Sequence, residues 1–328
     1  MQVESTFGKM NALTSVMGIK ALFEKYGIYI FLIILFVFAS VVSPAFLRPK
    51  NLQDVLNQAA ALGIVSIGQT FVILTGGGGL DLSVASVMAT IAVIIARNTG
   101  GQDALLLPVA FLGLLFGVLV GLFNGLLITK RRVPPFMATL GMMIIVQGLR
   151  FIYTKGAPKG DFPPFVRFLG NGNVGPVPTS VISLAVFTII AAVILRRTVF
   201  GRKVYTIGGN INTARLSGYR TDLIITATYM ISGLTAAIAG IYLAGWIGIS
   251  DNWVGKGYEL DSIAAVVMGG TSFEGGRGGV LGTIAGVLII MMLYNVILLL
   301  HLPVQVQYII KGAVIVLAAS FYVRRSVR

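Results

Sequence analysis

The sequence predicts an all-α polytopic membrane protein with about ten transmembrane helices. Of its 328 residues, 56% are hydrophobic and only 11% are charged, and the mean hydropathy is +0.91. An ordinary soluble domain carries about 25% charged residues, so this charge is too sparse to keep such a hydrophobic chain in water. The absence of cysteine excludes disulfides, thiol catalysis and cysteine-based metal sites.

Ten apolar segments approach the length of a membrane span, which needs roughly 20 residues to cross a hydrocarbon core of about 30 Å. They are Tyr26–Phe46, Leu52–Thr75, Leu82–Ala96, Ala104–Thr129, Pro134–Thr154, Pro178–Leu195, Leu223–Gly248, Glu259–Gly270, Gly279–Leu300 and Pro303–Val323. The third and eighth are short for a full crossing, and the eighth is typical of a half-helix or re-entrant element. The chain is thereby divided into a cytoplasmic lead at 1–25, a transmembrane domain at 26–323 and a cytoplasmic tail at 324–328.

Lysine and arginine are distributed unequally between the two sides of the membrane. The net charge is +14, and these residues stand in short clusters between the apolar segments. With the N-terminus inside, sixteen of them fall in inner segments and seven in outer ones. This bias follows the positive-inside rule, so we expect both termini in the cytoplasm. Nucleic acid needs a basic, water-exposed surface, and clusters of this kind do not predict such a partner.

Glycine recurs at four-residue spacing in two of the predicted spans. The positions are Gly113, Gly117, Gly121 and Gly125 in the fourth span and Gly278, Gly282 and Gly286 at the start of the ninth. Small residues at this spacing let helix backbones approach closely in lipid, so these are predicted packing positions. Glycine-rich breaks precede the third and ninth spans, and features repeated an odd number of spans apart suggest an inverted internal repeat. Chance is the alternative, since the chain has 41 glycines.

Four polar residues in or beside the apolar segments are candidates for a translocation path or its gate. They are Asp81, Asn124, Glu259 and Asp261. Asp81 follows four glycines that break a helix, and ionisable residues in membranes usually have a role; capping of the next helix is the alternative. Glu259 and Asp261 stand at the positive N-terminal end of a predicted helix, where ordinary capping is again the alternative. For Asn124 the alternative is a hydrogen bond between helices.

The loop Arg196–Asp222 is the longest inner loop and the most basic segment of the chain. It contains a turn signal at Gly208-Gly209-Asn210, and Asn212 is a suitable N-cap for a short helix Thr213–Ser217 that ends at Gly218. A helix this short is unstable alone in water. We therefore expect it to be held by packing against another surface; a solvated positive-inside loop is the alternative.

The sequence lacks the usual signs of enzyme chemistry. It contains no G-x-x-x-x-G-K-[ST] phosphate-binding motif, so it has no ATP site of that kind. Its single histidine, His301, does not support a histidine-based metal site or a catalytic triad. We therefore expect no catalytic residue, no metal and no cofactor in this chain.

Several strings in fixed order resemble the ribose-type permease subunit of bacterial ABC sugar importers, from about Tyr26 to Val323. They are Thr75–Ser83, Pro135–Met142, Arg197–Arg202, Ile207–Asn210, Ala214–Gly218 and Gly257–Gly282. The resemblance implies a permease that carries a pentose or hexose across the bacterial inner (plasma) membrane. Its implied partners are a second copy of the permease, a cytoplasmic ATPase that binds Mg-ATP and a periplasmic sugar-binding protein.

The resemblance also implies a role for the basic loop, which in this family docks on the ATPase. The residues that match in place are Gly208, Gly209, Asn210, Ala214, Arg215, Leu216 and Gly218. The short helix is then expected to insert into a groove of the ATPase, with Leu216 as its apolar anchor and Arg215 at the rim.

Other functions remain open at this point. One alternative is that the same machinery carries a nucleoside, a signalling sugar such as autoinducer-2 or a branched-chain amino acid. An ion-coupled secondary transporter would need a carboxylate inside a span, and the candidates Asp81, Glu259 and Asp261 all stand near helix ends. An intramembrane enzyme is disfavoured by the missing nucleophile–base pairs and metal ligands.

Overall fold

The structure, a computed structural model, describes residues 26–303, 305–310 and 312–313. Its α-helices are α1 (Tyr26–Val42), α2 (Pro49–Leu74), α3 (Val84–Thr99), α4 (Leu106–Lys130), α5 (Pro135–Thr154), α6 (Pro164–Asn171), α7 (Thr179–Arg197), α8 (Val199–Gly209), α9 (Ile211–Leu216), α10 (Thr221–Ile247), α11 (Tyr258–Met268) and α12 (Val280–Leu299). Short 3-10 helices lie at Pro44–Leu47 and Asp103–Leu105. Strands β1 (Asn173–Val174) and β2 (Val177–Pro178) form an antiparallel hairpin.

Six helices in the described part of the chain are long and apolar enough to cross a membrane: α2, α4, α5, α7, α10 and α12. A helix also lies in each of the other predicted spans up to the ninth, so the predicted all-α polytopic architecture is confirmed. The eighth span contains α11, whose 11 residues extend only about 16 Å at 1.5 Å per residue. The predicted lead 1–25, the tail 324–328 and most of the tenth span lie outside the described residues.

Helices α2 and α10 form the centre of the bundle. The most apolar stretches of α2, α12 and α10 are 89%, 61% and 56% buried, whereas the figure for α5 is 22%. Helix α10 packs against α4, α2 and α3. Small residues permit this packing: a Cβ added at Gly68 of α2 would lie 2.8 Å from the Cα of Ser232 on α10. Close backbone contacts between helices therefore contribute to the core as well as large apolar side chains.

Three glycines of α4 lie directly against α10. A Cβ at Gly117 would overlap the carbonyl oxygen of Gly233, and one at Gly121 would overlap that of Tyr229. A Cβ at Gly125 would stand 2.7 Å from the Cα of Thr226. The remaining glycine of the predicted ridge, Gly113, faces a side chain of α3 instead, with Ile91 Cδ1 at 3.3 Å.

Helices α11 and α12 also make a glycine-mediated contact. Added Cβ atoms at Gly282 and Gly286 would overlap the carbonyl oxygens of Gly269 and Ala265. The prediction that Gly278 belongs to the same helical ridge is wrong: α12 begins at Val280 with Gly279 as N-cap, and Gly278 lies in the preceding turn with φ +123. The four-residue spacing continued beyond the helix because the turn itself is rich in glycine.

The bundle has two different ends. The α9 end contains α8, α9 and the turns at 75–79 and 269–279, and Lys130 Nζ at the end of α4 lies 3.0 Å from Asp222 Oδ2 at the start of α10. The α6 end contains α6 and the β-hairpin. There the hydroxyl of Thr179 donates to the Phe168 carbonyl oxygen at 2.6 Å and joins α7 to α6. Three helices, α6, α8 and α9, lie in segments that the span predictions leave between membrane crossings.

Candidate functional site

Helices α8 and α9 project at the α9 end as two short helices with well-formed ends. Helix α9 begins at the N-cap Asn210, whose Oδ1 accepts from the N–H groups of Asn212 and Thr213 at 2.9 and 3.0 Å. The predicted N-cap, Asn212, is therefore wrong by two residues, because the helix begins earlier and the Asn210 side chain accepts from its first free N–H groups. Gly218 follows the helix with φ +80, and the N–H of Tyr219 donates to the Ala214 carbonyl oxygen at 3.1 Å, which is a Schellman end.

One side of α9 packs on the bundle and the other faces outward. Ala214 is buried, and the Arg215 Nε donates to Thr221 Oγ1 at 3.1 Å, at the first residue of α10. The Arg215 guanidinium also lies 3.8 Å from Asp222, which Lys130 contacts as well. Leu216 is 90% exposed. The helix thus has a buried small residue on one side and an exposed apolar residue on the other.

Three glycine-containing segments meet where α8 ends, and we call this place the glycine junction. It consists of Gly76 after α2, Gly208 in the last turn of α8, and Gly275 and Gly276 before α12. The N–H of Gly276 donates to the Leu74 carbonyl oxygen at 3.0 Å. Added Cβ atoms would overlap Leu74 from Gly208 and Glu274 from Gly76. Helix α8 is therefore in backbone contact with both turns of the α9 end.

A cavity of about 720 Å³ opens beside the glycine junction. Its lining is mixed, with Arg132, Arg215, Asp222 and Glu274 supplying charges of both signs and Tyr229 of α10 also on its wall. The Tyr229 side chain is 1% exposed, and its hydroxyl donates to the Leu80 carbonyl oxygen at 3.4 Å. The cavity thus extends from α9 to a residue that contacts the segment just before Asp81.

Asp81 lies at the centre of a fully buried polar cluster. Its Oδ1 accepts from the Ser83 N–H at 3.0 Å and from the Ser83 hydroxyl at 2.6 Å, and its Oδ2 accepts from the Ser232 hydroxyl at 2.8 Å. Asn124 of α4 donates to Ser83 Oγ at 2.9 Å and to Asp81 Oδ1 at 3.4 Å. Several donors thus stabilise the carboxylate that the broken helix brings into the core.

Asp81 lies just before α3, and its Oδ1 accepts from the Ser83 N–H, a hydrogen bond of the kind that a capping side chain makes. The N-cap position itself is Ser83, which makes no side-chain cap hydrogen bond, so Asp81 holds the segment that leads into the helix. Ser232 is the partner that sequence reasoning missed. It lies 151 positions from Asp81 in a helix whose serine and threonine residues have no distinguishing pattern, so no signal in the sequence pointed to it.

Glu259 and Asp261 are both in the first turn of α11, but they contact different parts of the bundle. Asp261 is buried, and its Oδ1 accepts from the Tyr294 hydroxyl of α12 at 2.7 Å. Glu259 is half-buried, accepts from the Gly257 N–H at 2.9 Å and lines a small cavity beside α3 and α5. The four predicted path residues therefore fall in three separate places, with only Asp81 and Asn124 in direct contact.

A bundle of apolar helices whose buried polar groups bond to one another, with short helices exposed at one end, has the architecture of a multi-pass membrane transport subunit. The comparison with protein families agrees. Residues 51–319 match the family described as branched-chain amino acid transport system / permease component, and the chain belongs to this family.

Curated relatives are similar over most of their length. The ribose import permease of Bacillus subtilis (strain 168) is 40% identical, with 90% of this chain and 91% of the relative covered. The L-arabinose ABC transporter permease of Azospirillum brasilense is 33% identical, covering 93% and 89%. The galactofuranose transporter permease of Escherichia coli (strain K12) is 38% identical, covering 80% and 76%. No solved structure matches the chain significantly.

Proposed function

We propose that this chain is the membrane-spanning subunit of an importer for a monosaccharide, a pentose or a hexose, and that a separate ATPase drives it. The family description names branched-chain amino acids, but the relatives that align over most of both chains are named for ribose, arabinose and galactofuranose. Similarity over most of both chains is better evidence for the substrate class than the family description, so a sugar is the preferred substrate. The three relatives are named for three different sugars, so the proposal specifies the class of sugar and not one compound.

The proposal includes the partners and the orientation. Two copies of the chain form the path, a periplasmic sugar-binding protein delivers the substrate, and the ATPase holds the Mg-ATP. The α9 end faces the cytoplasm of a bacterium, since it carries the basic clusters at 130–132 and 196–203. Both termini are then on the cytoplasmic side of the inner membrane.

The observation that carries the proposal is the exposure of Leu216. Leu216 is 90% exposed on a short, well-capped helix at the end of the bundle that carries the basic clusters, so its side chain is available for burial against a partner. An amphipathic helix commonly binds by laying its apolar side chain into a groove. We therefore assign Leu216 as the anchor in the ATPase, Arg215 as the charged rim, and Gly208, Gly209, Asn210, Ala214 and Gly218 as the residues that shape and hold the docking element.

The glycine junction supplies a route by which ATPase closure would reach the membrane helices. A displacement of α8 is transmitted to Gly76 and Gly276 because their backbones are already in contact with Gly208. The first of these turns leads to Asp81 and α3, and the second leads to α12. In this proposal the 720 Å³ cavity is the cytoplasmic exit of the path. Asp81 and its hydrogen-bond partner Asn124 lie at the moving segment that follows the first of these turns, and Glu259 and Asp261 stand further along the path, in the first turn of α11.

The test replaces Leu216 by Asp in the complex reconstituted into liposomes with its ATPase and binding protein. We expect sugar uptake and substrate-stimulated ATP hydrolysis to become uncoupled, or the ATPase to dissociate, while the permease remains inserted. The matched control is Asn212→Asp, which adds the same charge to an exposed position of the same helix but removes no apolar side chain. Normal ATPase binding and full stimulated hydrolysis in Leu216→Asp would contradict the proposal.

The energy source is tested separately, because an ion-coupled transporter is the alternative of another class. Uptake into vesicles should require ATP and should survive an ionophore that removes ion gradients. The burial of Asp81 among Ser83, Asn124 and Ser232, and of Asp261 against Tyr294, gives this alternative its structural argument, since both are carboxylates inside the core. Uptake without ATP that an ionophore abolishes would establish the alternative.

A further inference from the structure

Helix α7 has a continuous stripe of exposed apolar side chains along one side. Ile182, Val186, Ile189 and Val193 are between 39% and 63% exposed. Their spacing of three and four residues places them on the same side of the helix. From Ile182 to Val193 the stripe extends about 16 Å, which is close to one leaflet of a hydrocarbon core of about 30 Å. In a helix that crosses a membrane, such a stripe is covered by lipid or by another protein.

The stripe ends in arginine at the α9 end of the bundle. The next positions on the same side of α7 are Arg196 and Arg197 in its last turn, and Arg202 follows on α8; all three are exposed. We call these three residues the arginine corner. Within the part of the chain that the structure describes, none of them lies within ion-pair distance of a carboxylate. Asp222, an acidic residue of the same end, pairs with two other cations instead.

The bend between α7 and α8 holds the arginine corner in a fixed shape. The Thr198 hydroxyl donates to the Ile194 carbonyl oxygen at 2.6 Å and accepts from the Gly201 N–H at 3.2 Å. A Cβ added at Gly201 would overlap the carbonyl oxygens of Ile194 and Leu195, so the first turn of α8 packs directly on the last turn of α7. Val199, at the bend itself, is 56% exposed. Apolar and cationic side chains thus stand next to each other on a rigid surface.

The occupant of this surface must be apolar over the length of one leaflet and anionic at its end. A phospholipid with an anionic headgroup has both properties. Its phosphate suits the planar fork of the arginine guanidinium, and anionic lipids attract basic residues that stand at the membrane surface. A free phosphate ion would match the charge but would leave the stripe uncovered.

A second copy of this chain fits the same surface poorly. A symmetric pair brings identical surfaces together. If the pair had its axis across the membrane and met along α7, the arginine corners of the two copies would face each other at the same depth. Like charges opposed in this way repel and disfavour the contact.

We propose that the stripe of α7 and the arginine corner together bind one anionic phospholipid, with its acyl chains along the stripe and its headgroup at Arg196, Arg197 and Arg202. The proposal goes beyond the function proposed above, because it requires only that the chain spans a membrane. It also has a consequence for α8. The lipid holds the beginning of this helix, whose last turn contacts the glycine junction through Gly208.

Native mass spectrometry of the full chain in a non-ionic detergent tests the site. The probes are phosphatidylglycerol, which is anionic, and phosphatidylcholine with the same acyl chains, which has no net charge. We expect phosphatidylglycerol to bind more tightly and to raise the melting temperature more. Arg196→Gln combined with Arg197→Gln should weaken phosphatidylglycerol binding about fivefold for each arginine removed and leave phosphatidylcholine binding unchanged.

The matched control combines Arg131→Gln with Arg220→Gln. It removes two exposed arginines from the same end of the bundle but from outside the corner, and it should retain the tight binding of phosphatidylglycerol. Equal losses in the two double variants would overturn the site, since they would show a general attraction of a basic surface. Equal binding of the two lipids by the unaltered chain would overturn it as well.

Two further measurements separate the other occupants. Because the chain has no cysteine, Ile189→Cys introduces a single thiol into the stripe, and we expect no disulfide-linked dimer after oxidation in membranes. Such a dimer would show that α7 faces a second copy and would overturn the proposal. Displacement of bound phosphatidylglycerol by the ATPase would also overturn it, because the ATPase would then cover the arginine corner. None of these readouts involves sugar uptake, so failure of the lipid site and failure of the proposed function are distinguishable.

Discussion

Glycine has different roles at the contact between α4 and α10 and on the exposed surface of α5. On α4, Gly117 and Gly121 lie so close to α10 that a Cβ would overlap its backbone. On α5, Gly141 and Gly148 have no atom within 4 Å of the position that a Cβ would take. Glycine is thus indispensable to packing in one helix and spatially unconstrained in the other, within the single chain that the structure describes.

The polar groups of the two regions differ in the same way. In the core, the Asp81 carboxylate is fully buried and its hydrogen bonds come from α10, α4 and its own segment. At the periphery, Asp161 in the exposed connection before α6 pairs with Arg167 on α6 itself. Burial makes an interaction costly to lose because water cannot replace it, whereas exposed ion pairs contribute little. Mutations are therefore expected to have their largest effects at buried core contacts and their smallest at the exposed periphery.

The largest effect is expected for Gly121→Leu. The new Cβ overlaps the Tyr229 carbonyl oxygen, so α4 and α10 must separate, and overpacking of a tight contact typically costs about 1–3 kcal/mol or more. We expect loss of monodisperse protein after detergent extraction, measured by size-exclusion chromatography of a fluorescent fusion. The matched control Gly141→Leu should extract as the parent protein does. Equal profiles for both variants would show that the α4–α10 contact is looser than the structure indicates.

The next effect concerns Asp81, and its size should depend on the substituent. Asp81→Asn keeps one oxygen for the Ser83 N–H and hydroxyl, and its new amide can donate to Ser232, whose hydroxyl can turn to accept. Asp81→Leu leaves the buried donors unpaired, at about 1–3 kcal/mol for each. We expect most uptake and thermal stability to survive in the Asn variant and little of either in the Leu variant.

Expression and assembly of both Asp81 variants serve as the control for that experiment. If the Asn variant assembles normally but does not transport, the charge of Asp81 acts in transport itself. The packing account of the cluster would then be incomplete, and the ion-coupled alternative would gain support. Ser232→Ala, which removes only one donor to the carboxylate, should be milder than Asp81→Leu under either outcome.

The sequence was sufficient for elements whose signal is local. Apolar length predicts each helix in the first nine spans, because a chain in lipid must satisfy its backbone within each crossing segment. Glycine spacing marked the face of α4 that meets α10. The short α9 was expected too, although its N-cap is Asn210 rather than Asn212. The error arose because both asparagines suit an N-cap, and only the path of the chain from α8 decides between them.

What the sequence did not predict depends on helix neighbours that are distant along the chain. Ser232 and Tyr229 reach the Asp81 segment from α10. Because α10 is almost uniformly apolar, its sequence does not indicate which side of the helix packs against which neighbouring helix. The burial of Arg150 depends on such a neighbour too. Arg150 stands near the outer end of the fifth predicted span, where a long cationic side chain commonly extends toward the membrane surface, yet it is buried and donates to the Ser86 carbonyl oxygen of α3. A lone arginine in a span therefore indicated a buried polar site.

The smallest effect is expected at the periphery, for Arg167→Gln. The Arg167 guanidinium, followed by the Phe162 N–H, holds the pKa of the Asp161 carboxyl below its usual value of 3.8. A carboxyl with a lowered folded-state pKa contributes stability above the unfolded value, and this contribution is lost as the pH falls through the folded-state pKa. Because Asp161 is exposed, water and salt screen the pair. We expect Arg167→Gln to lower the melting temperature slightly near neutral pH, and the difference from the parent to disappear as acid protonates the Asp161 carboxyl. Thermal unfolding in detergent from neutral to acid pH measures this difference, with Lys159→Gln as a control for removing one positive charge from the exposed connection before α6. A loss of stability as large as that in Gly121→Leu would mean that the Asp161–Arg167 pair contributes as much to stability as a core contact. The distinction between core and periphery that burial suggests would then be wrong.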